Sequence, residues 1–265
     1  MLTVVLWNLA WRRAGSPAGE AARAIIAAAD ADLICLTEAS RGLLPPGHIA
    51  AAPAFPGPRR RPDDHKVLLW SRSPWQEVDP VGHPALPQAR FVRATTQTPL
   101  GAVEATGVCI PWADAHVATG RRDRRRWEEH GLYLEALGAI LSNRPARPRE
   151  LLLGDFNQAI PRRRAPRPVY EQLMSVIGER FILPTAGPQP GFPLAVIDHL
   201  AHSPDLTCTR LAPLSNATGD GRRISDHVGM RLEFTERQPT SEETGGAGAR
   251  PRQPFRESAP SPARS

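Results

Sequence analysis

Asp155 and Asn157 stand two residues apart, directly after the apolar run Leu151-Leu152-Leu153 and Gly154. An acid and an amide at the mouth of a buried strand are poor core residues and suit a polar site. They point the same way if the extended geometry continues, because strand side chains alternate with period two. The pattern recurs along the chain. Asn8, Glu38 and Asp198 each follow an apolar run, and the pair Asp226-His227 comes just before the last one. A single Asn or Asp after a strand is ordinarily a turn former. Repetition changes the reading: strand ends of one layered sheet can converge, and several carboxylates and amides gathered there suit a hard cation bound by oxygen.

These residues need strands to carry them. Residues 2–6 are apolar and partly β-branched, and read as a first strand. Residues 33–36 read as a second, which delivers Thr37 and Glu38. Residues 151–153 are unbroken apolar, the mark of a strand buried on both faces, and Gly154 lets the backbone turn sharply or approach a neighbour closely. Residues 195–197 read as the strand that delivers Asp198 and His199, and residues 228–234 as the last strand. Others are expected at 48–52, 66–70, 91–96, 101–110 and 205–214, with a short extended piece at 181–184. Helices are expected at 20–29, at 121–141 with Trp127, Leu134, Leu137 and Leu141 on its apolar face, and at 169–177. The order β, α, β and then many strands with few helices argues for a layered α/β protein rather than a strictly alternating one.

The 265 residues, 41% hydrophobic, suffice for one sizeable core. A net charge of +6 favours anionic partners, nucleic acid and phosphate esters among them. Apart from Lys66, every basic side chain of the Lys/Arg class is arginine; with 29 prolines and much alanine, part of that basicity reads as compositional bias. Cys35, Cys109 and Cys208 are widely spaced and form neither a zinc pattern nor a disulfide framework, so a reduced, cytoplasmic chain is expected. No signal peptide or membrane-spanning run is evident. From Thr235 the sequence is Pro, Ser, Glu, Gly and Arg with almost no apolar residues, which divides the chain into a domain of residues 1–234 and a disordered tail of residues 235–265.

Trp7-Asn8, Leu36-Thr37-Glu38, Gly154-Asp155-Phe156-Asn157, Ile197-Asp198-His199 and Ser225-Asp226-His227 occur in an order and rough spacing that resemble the endonuclease/exonuclease/phosphatase superfamily. Pancreatic deoxyribonuclease, apurinic endonucleases, neutral sphingomyelinases and inositol polyphosphate phosphatases belong to it. The resemblance spans about residues 2–234, and the Gly-Asp-Phe-Asn and Ser-Asp-His pieces are its most specific parts. It implies a four-layer α/β/β/α sandwich, two packed mixed sheets flanked by helices. It also implies hydrolysis of a phosphate ester assisted by Mg²⁺ or Mn²⁺, as one or two ions. On that resemblance Glu38 is the principal metal ligand, with Asn8 and Asp226 as direct or water-mediated contacts. A sparse ligand set suits Mg²⁺, which keeps several waters. Asp155 resembles the residue that orients or deprotonates the attacking water, and Asn157 a donor to a phosphate oxygen. His227 binds the phosphate or acts as general base, with Asp198 fixing its tautomer and raising its basicity.

Two positions depart from the family. Cys109 stands where the family commonly has a His or Tyr that contacts the scissile phosphate, and a buried cysteine is most often an inert small hydrophobe. Ala10 stands where an acid is often found, two residues after the first Asn. His116 or one of the arginines of 121–126 is a candidate for the missing phosphate contact. Arg162, Arg163 and Arg164, shortly after the Asp155 motif, and Arg222 and Arg223, just before Ser225, are expected to hold an anionic substrate. Trp11 and Trp112 are candidates to stack on a base, although structural roles suit them better. The expectation is a monomeric, nuclease-like phosphodiesterase. Its rivals are a phosphomonoesterase or a sugar, inositol or lipid phosphatase of the same fold, and a non-catalytic descendant that binds nucleic acid.

Overall fold

The computed structural model describes residues 1–55, 61–118, 121–192 and 195–238. Its strands are β1 (Leu2–Asn8), β2 (Leu33–Ser40), β3 (His48–Ala51), β4 (Asp64–Ser71), β5 (Trp75–Asp79), β6 (Phe91–Thr98), β7 (Gly101–Cys109), β8 (Glu150–Asp155), β9 (Asp198–His202), β10 (Leu206–Pro213) and β11 (Met230–Glu236). The helices are α1 (Pro17–Ala28), α2 (Glu128–Ser142) and α3 (Arg167–Ile177).

The apolar runs form strands because successive side chains feed different cores. Leu2, Val4 and Leu6 enter one cluster with Leu151, Leu153 and Leu200, while Val5 and Trp7 enter a second with Ala22 and Ile26 of α1. Leu152 turns the other way from its neighbours, into a third cluster with Leu134 and Leu137 of α2 and Leu173 of α3. The first cluster therefore lies between two sheets, and the other two lie under the helices. The strand orders are β10-β11-β1-β2-β4-β3 and β5-β6-β7-β8-β9. Both sheets are mixed: β1 runs parallel to β2 and β7 parallel to β8, with antiparallel neighbours on either side. The result is the expected α/β/β/α sandwich.

Several boundaries differ from the sequence reading. The helix expected at 121–141 begins only at Glu128, because Trp127 takes a left-handed φ of 71° and the Glu128 carboxylate accepts from the Arg125 amide at 2.8 Å. Residues 195–197, expected as a strand, are not one. The strand β9 starts at Asp198, because its antiparallel partner β8 ends at Asp155, directly opposite. The edge strand β5 was not foreseen, since its sequence WQEVD has no apolar run. The last strand runs to Glu236, pairing Thr235 with Thr207, so the expected tail does not begin at residue 235; residues 239–265 lie outside the described residues. None of the three cysteines is paired, and among the described residues no helix is long and apolar enough to cross a membrane.

Candidate active site

The parallel pairs β1/β2 and β7/β8 end at the same edge of the sandwich, and the polar residues gather there. Asn8, last in β1, donates through Nδ2 to Asp155 Oδ2 at 3.0 Å, joining one sheet to the other. Its own Oδ1 accepts from the Ala10 amide at 2.9 Å. Asp155 also accepts from the Asn157 backbone amide and from Asn157 Nδ2, both at 2.9 Å. Asn157 does not reach this position by strand alternation, as expected from its spacing. The strand has ended, Asn157 has a left-handed φ of 52°, and the turn folds its amide back between Asp155 and Ile110 O, 2.8 Å away. Burial and the charge of Asp198 push the Asp155 carboxyl up to about 7, against the Asn157 amide and the charge of His227.

Across from Asp155, His227 donates from Nδ1 to Asp198 Oδ2 at 2.6 Å. That bond fixes the tautomer and leaves Nε2 without a partner among the described residues. Burial disfavours the charged ring, but Asp198, Asp155 and Asp226 together outweigh it and raise the imidazole to about 10. The loop bearing His227 is stitched to β1. Ser225 Oγ donates to Asn8 O at 2.7 Å and accepts from the His227 amide at 3.2 Å, and Trp7 Nε1 donates to His227 O at 3.3 Å. Asn216 holds the same loop, donating to Ser225 O and His227 O at 2.8 and 2.9 Å. The sequence offered no signal for Asn216, an asparagine in a polar loop.

Ligand atoms of Asp155, Asp198 and His227 lie within 4.8 Å of one another, a group able to hold a metal ion. The trio expected to hold the metal is arranged differently. Asn8 is turned to Asp155, and Asp226 is exposed, 3.5 Å from Ser225 Oγ. Glu38 stands opposite Lys66 of β4 in an unbroken register that passes from Thr37↔Val67 to Ala39↔His65, and has a φ of 49°. Its Oε1 accepts from Lys66 Nζ at 2.5 Å. That ammonium also lies 5.0 Å from the Trp11 ring and 4.9 Å from the Phe55 ring, which stack on each other. Lys66, the chain's only lysine, was a missed member of the site. Its sequence signal was its uniqueness. The donor set still fits a hard cation. Asp198 Oδ1 is buried with no hydrogen-bond partner, and among the described residues no hydrogen bond reaches Glu38 Oε2.

Cys109 is buried beside Asp155, its register partner, and burial pushes its thiol up to about 12. The cation at this position is neither His116 nor one of the arginines of 121–126 that form ion pairs. His116 lies 3.4 Å from Glu129, Arg121 pairs with Asp123, Arg124 with Glu129 and Arg126 with Asp114. Arg90 is there instead, donating to Cys109 O at 3.0 Å and lying 3.6 Å from its Sγ, with no carboxylate partner among the described residues. Of the arginines expected to hold substrate, Arg163 and Arg164 line a cavity of about 610 Å³ that Asn157 also lines. Arg162 is engaged with Ala165 O at 3.2 Å, Arg222 with Asp220 at 3.0 Å and Arg223 with Asp226 O at 2.5 Å.

Residues 5–227 match the model of the Endonuclease/Exonuclease/phosphatase family. Among solved structures, an endonuclease/exonuclease/phosphatase from Beutenbergia cavernae aligns over 89% of this chain and 71% of its own, with a TM-score of 0.59 and 17% identity. A 3'-5' exonuclease from Neisseria meningitidis aligns over 88% and 99%, with a TM-score of 0.57 and 19% identity. Sphingomyelinase C from Streptomyces griseocarneus aligns over 87% and 98%, with a TM-score of 0.54 and 16% identity. These likenesses show the shared fold. No curated protein sequence matches the chain.

Proposed function

We propose that this chain, which belongs to the Endonuclease/Exonuclease/phosphatase family, hydrolyses a phosphodiester in a nuclease-like reaction that depends on Mg²⁺ or Mn²⁺. The observation that carries the reading is Asp155, held by Asn8 and Asn157 beside its register partner Asp198, which holds His227 from the other sheet's loop. Asp155 orients the attacking water and takes its proton. Its three hydrogen bonds leave the carboxylate fixed in direction, which is what positioning requires. His227, its Nδ1 committed to Asp198, presents Nε2–H to a phosphate oxygen, whereas Asn157, expected to donate to the same group, has both amide hydrogens on Asp155 and Ile110 O and so serves to position Asp155. Glu38, with Asp226 and Asn8 nearby, would hold the divalent cation, and that cation would supply neutralisation of the phosphate charge and stabilisation of the leaving oxygen. Arg163 and Arg164 hold the flanking anion. The unpaired thiols suit a reducing compartment, the cytoplasm.

A panel of bis(p-nitrophenyl) phosphate, p-nitrophenyl phosphate, oligonucleotides, sugar phosphates and sphingomyelin, assayed with Mg²⁺, Mn²⁺ or EDTA, tests the reading. Hydrolysis of diesters that stops in EDTA is expected. Exclusive turnover of monoesters or of sphingomyelin moves the protein to a rival of the same fold, and nucleic-acid binding without cleavage under either ion marks a non-catalytic descendant. In Glu38→Ala and His227→Ala the expected result is loss of hydrolysis by at least a hundredfold with an unchanged circular dichroism spectrum. Full turnover in either variant sinks the proposed roles.

A further inference from the structure

Lys66 is the one member of the catalytic edge to which the chemistry at phosphorus assigns no task. Its ammonium lies on Glu38 Oε1 at 2.5 Å. An ammonium is a strongly hydrated point charge, and taking it out of water is costly. The Lys66 side chain is only 10% exposed, so the protein must replace the lost water. It does so from three sides. Glu38 gives the counter-charge. The rings of Trp11 and Phe55, stacked with centroids 5.9 Å apart, lie 5.0 and 4.9 Å from Nζ, within cation–π reach. Both rings stand on pinned segments: Trp11 N donates to Glu38 O at 2.7 Å, and Phe55 N to Asp64 O at 2.9 Å. The charge is therefore fixed in place, with no room to swing away when another cation arrives.

Glu38 has two oxygens, and Lys66 takes one of them. Among the described residues no hydrogen bond reaches the other, Oε2. The amide oxygen of Asn8 is also engaged, accepting from the Ala10 amide at 2.9 Å. A divalent ion at Glu38 would meet one free carboxylate oxygen and a positive charge held on the same carboxylate. Like charges that close repel well beyond thermal energy in a half-buried site. The Lys66 charge also reaches Cys109, the register partner of Asp155, whose thiol it pulls down against burial. From this arrangement we infer that Lys66 is a built-in cation that shares Glu38 with the divalent ion: it leaves that ion Oε2 alone, limits Glu38 to a single ion and weakens its hold. This inference rests on the proposed reading for Glu38 as a metal ligand. A lysine with a merely structural role predicts the opposite sign, because its removal would loosen Glu38 and weaken the ion further.

Binding of Mn²⁺ alone, without substrate, separates the two. The ion is titrated into the full chain at constant pH and ionic strength, and free Mn²⁺ is counted by electron paramagnetic resonance. Lys66→Met keeps an apolar stem on the two rings and removes the charge; it is expected to bind Mn²⁺ about tenfold or more tightly than the unaltered protein. Lys66→Gln should shift the same way, which covers a failure of Lys66→Met to fold. Lys66→Arg, which keeps the charge, should stay near the unaltered protein. Adding Glu38→Gln to Lys66→Met should remove the gain. Equal or weaker binding in both neutral variants, or a gain that survives Glu38→Gln, overturns the inference. Hydrolysis of bis(p-nitrophenyl) phosphate with Mn²⁺ is measured in parallel: its absence from a protein that binds the ion defeats the phosphodiesterase reading and leaves the Lys66 result to stand. No Mn²⁺ bound by any of these proteins overturns both.

Discussion

Cys109 is where the residue-level chemistry is decided. Its thiol is neutral near pH 7, because burial has pushed it up to about 12, so it brings no charge to a phosphate. Arg90 brings one to the same spot through a different backbone segment. A charge-assisted hydrogen bond is worth roughly 1.5–3 kcal/mol, so Arg90→Ala is expected to lower kcat/KM for a diester by about 10- to 100-fold. Cys109→Ala should cost stability but leave kcat/KM within about threefold. Steady-state kinetics on both variants check this, and the reverse ranking would return the phosphate contact to Cys109. The site was legible where chemistry imposes residue type at a strand end: Asn8, Asp155, Asp198 and His227 are brought together. It was not legible where a cation arrives from elsewhere in the chain. Arg90 and Lys66 lie in segments whose local sequence carries no chemical motif, and only the fold sets them against Cys109 and Glu38.

At the scale of elements, the close packing of β7 on β8 positions Asp155. Gly154 has a φ of 144°, and a Cβ there would stand 1.9 Å from Val108 O in the neighbouring strand. No side chain fits without parting the two strands. Gly154→Ala combines a disfavoured backbone with overpacking, each costing about 1–3 kcal/mol. Thermal unfolding is expected to show a drop in Tm of about 10 °C or more, with catalysis falling alongside as Asp155 moves. A Tm within a few degrees of the unaltered protein would show that the pair tolerates the parting. The strands flanking this glycine were readable because burial on both faces demands unbroken apolar sequence, as in residues 151–153. The polar edge strand β5 was hidden for the opposite reason, having one exposed face and no apolar run. The start of α2 was masked by arginines of the loop before Trp127, good helix formers whose side chains instead pair with Asp123, Asp114 and Glu129.

Across the whole molecule, the two sheets meet at an edge that is tied to the helical layer through Gln158. His130 of α2 receives Gln158 Nε2 at 2.7 Å while giving its Nδ1–H to Pro111 O, and His199 of β9 gives its Nε2–H to Gln158 O at 3.0 Å while accepting from Thr185 at 3.0 Å. Each ring thus has one donor and one acceptor nitrogen, both used, which is the neutral form. Burial lowers both imidazoles to about 4. A depressed folded pKa means that the unfolded chain binds the proton first. The stabilisation is present above the unfolded value near 6.5 and is lost as pH falls towards 4. Asp155 works in the other sense, since a carboxyl raised to about 7 favours the folded state as pH falls, so the total slope is partly masked. A difference isolates the histidine. His130→Gln keeps a donor and an acceptor on a side chain that does not titrate. In urea titrations in EDTA, the stability advantage of the unaltered protein over His130→Gln should shrink by about 2 kcal/mol between pH 7.5 and pH 5. A constant difference would mean that His130 is free to take a proton in the folded protein, and that the bond to Gln158 does not hold the helix to the catalytic edge.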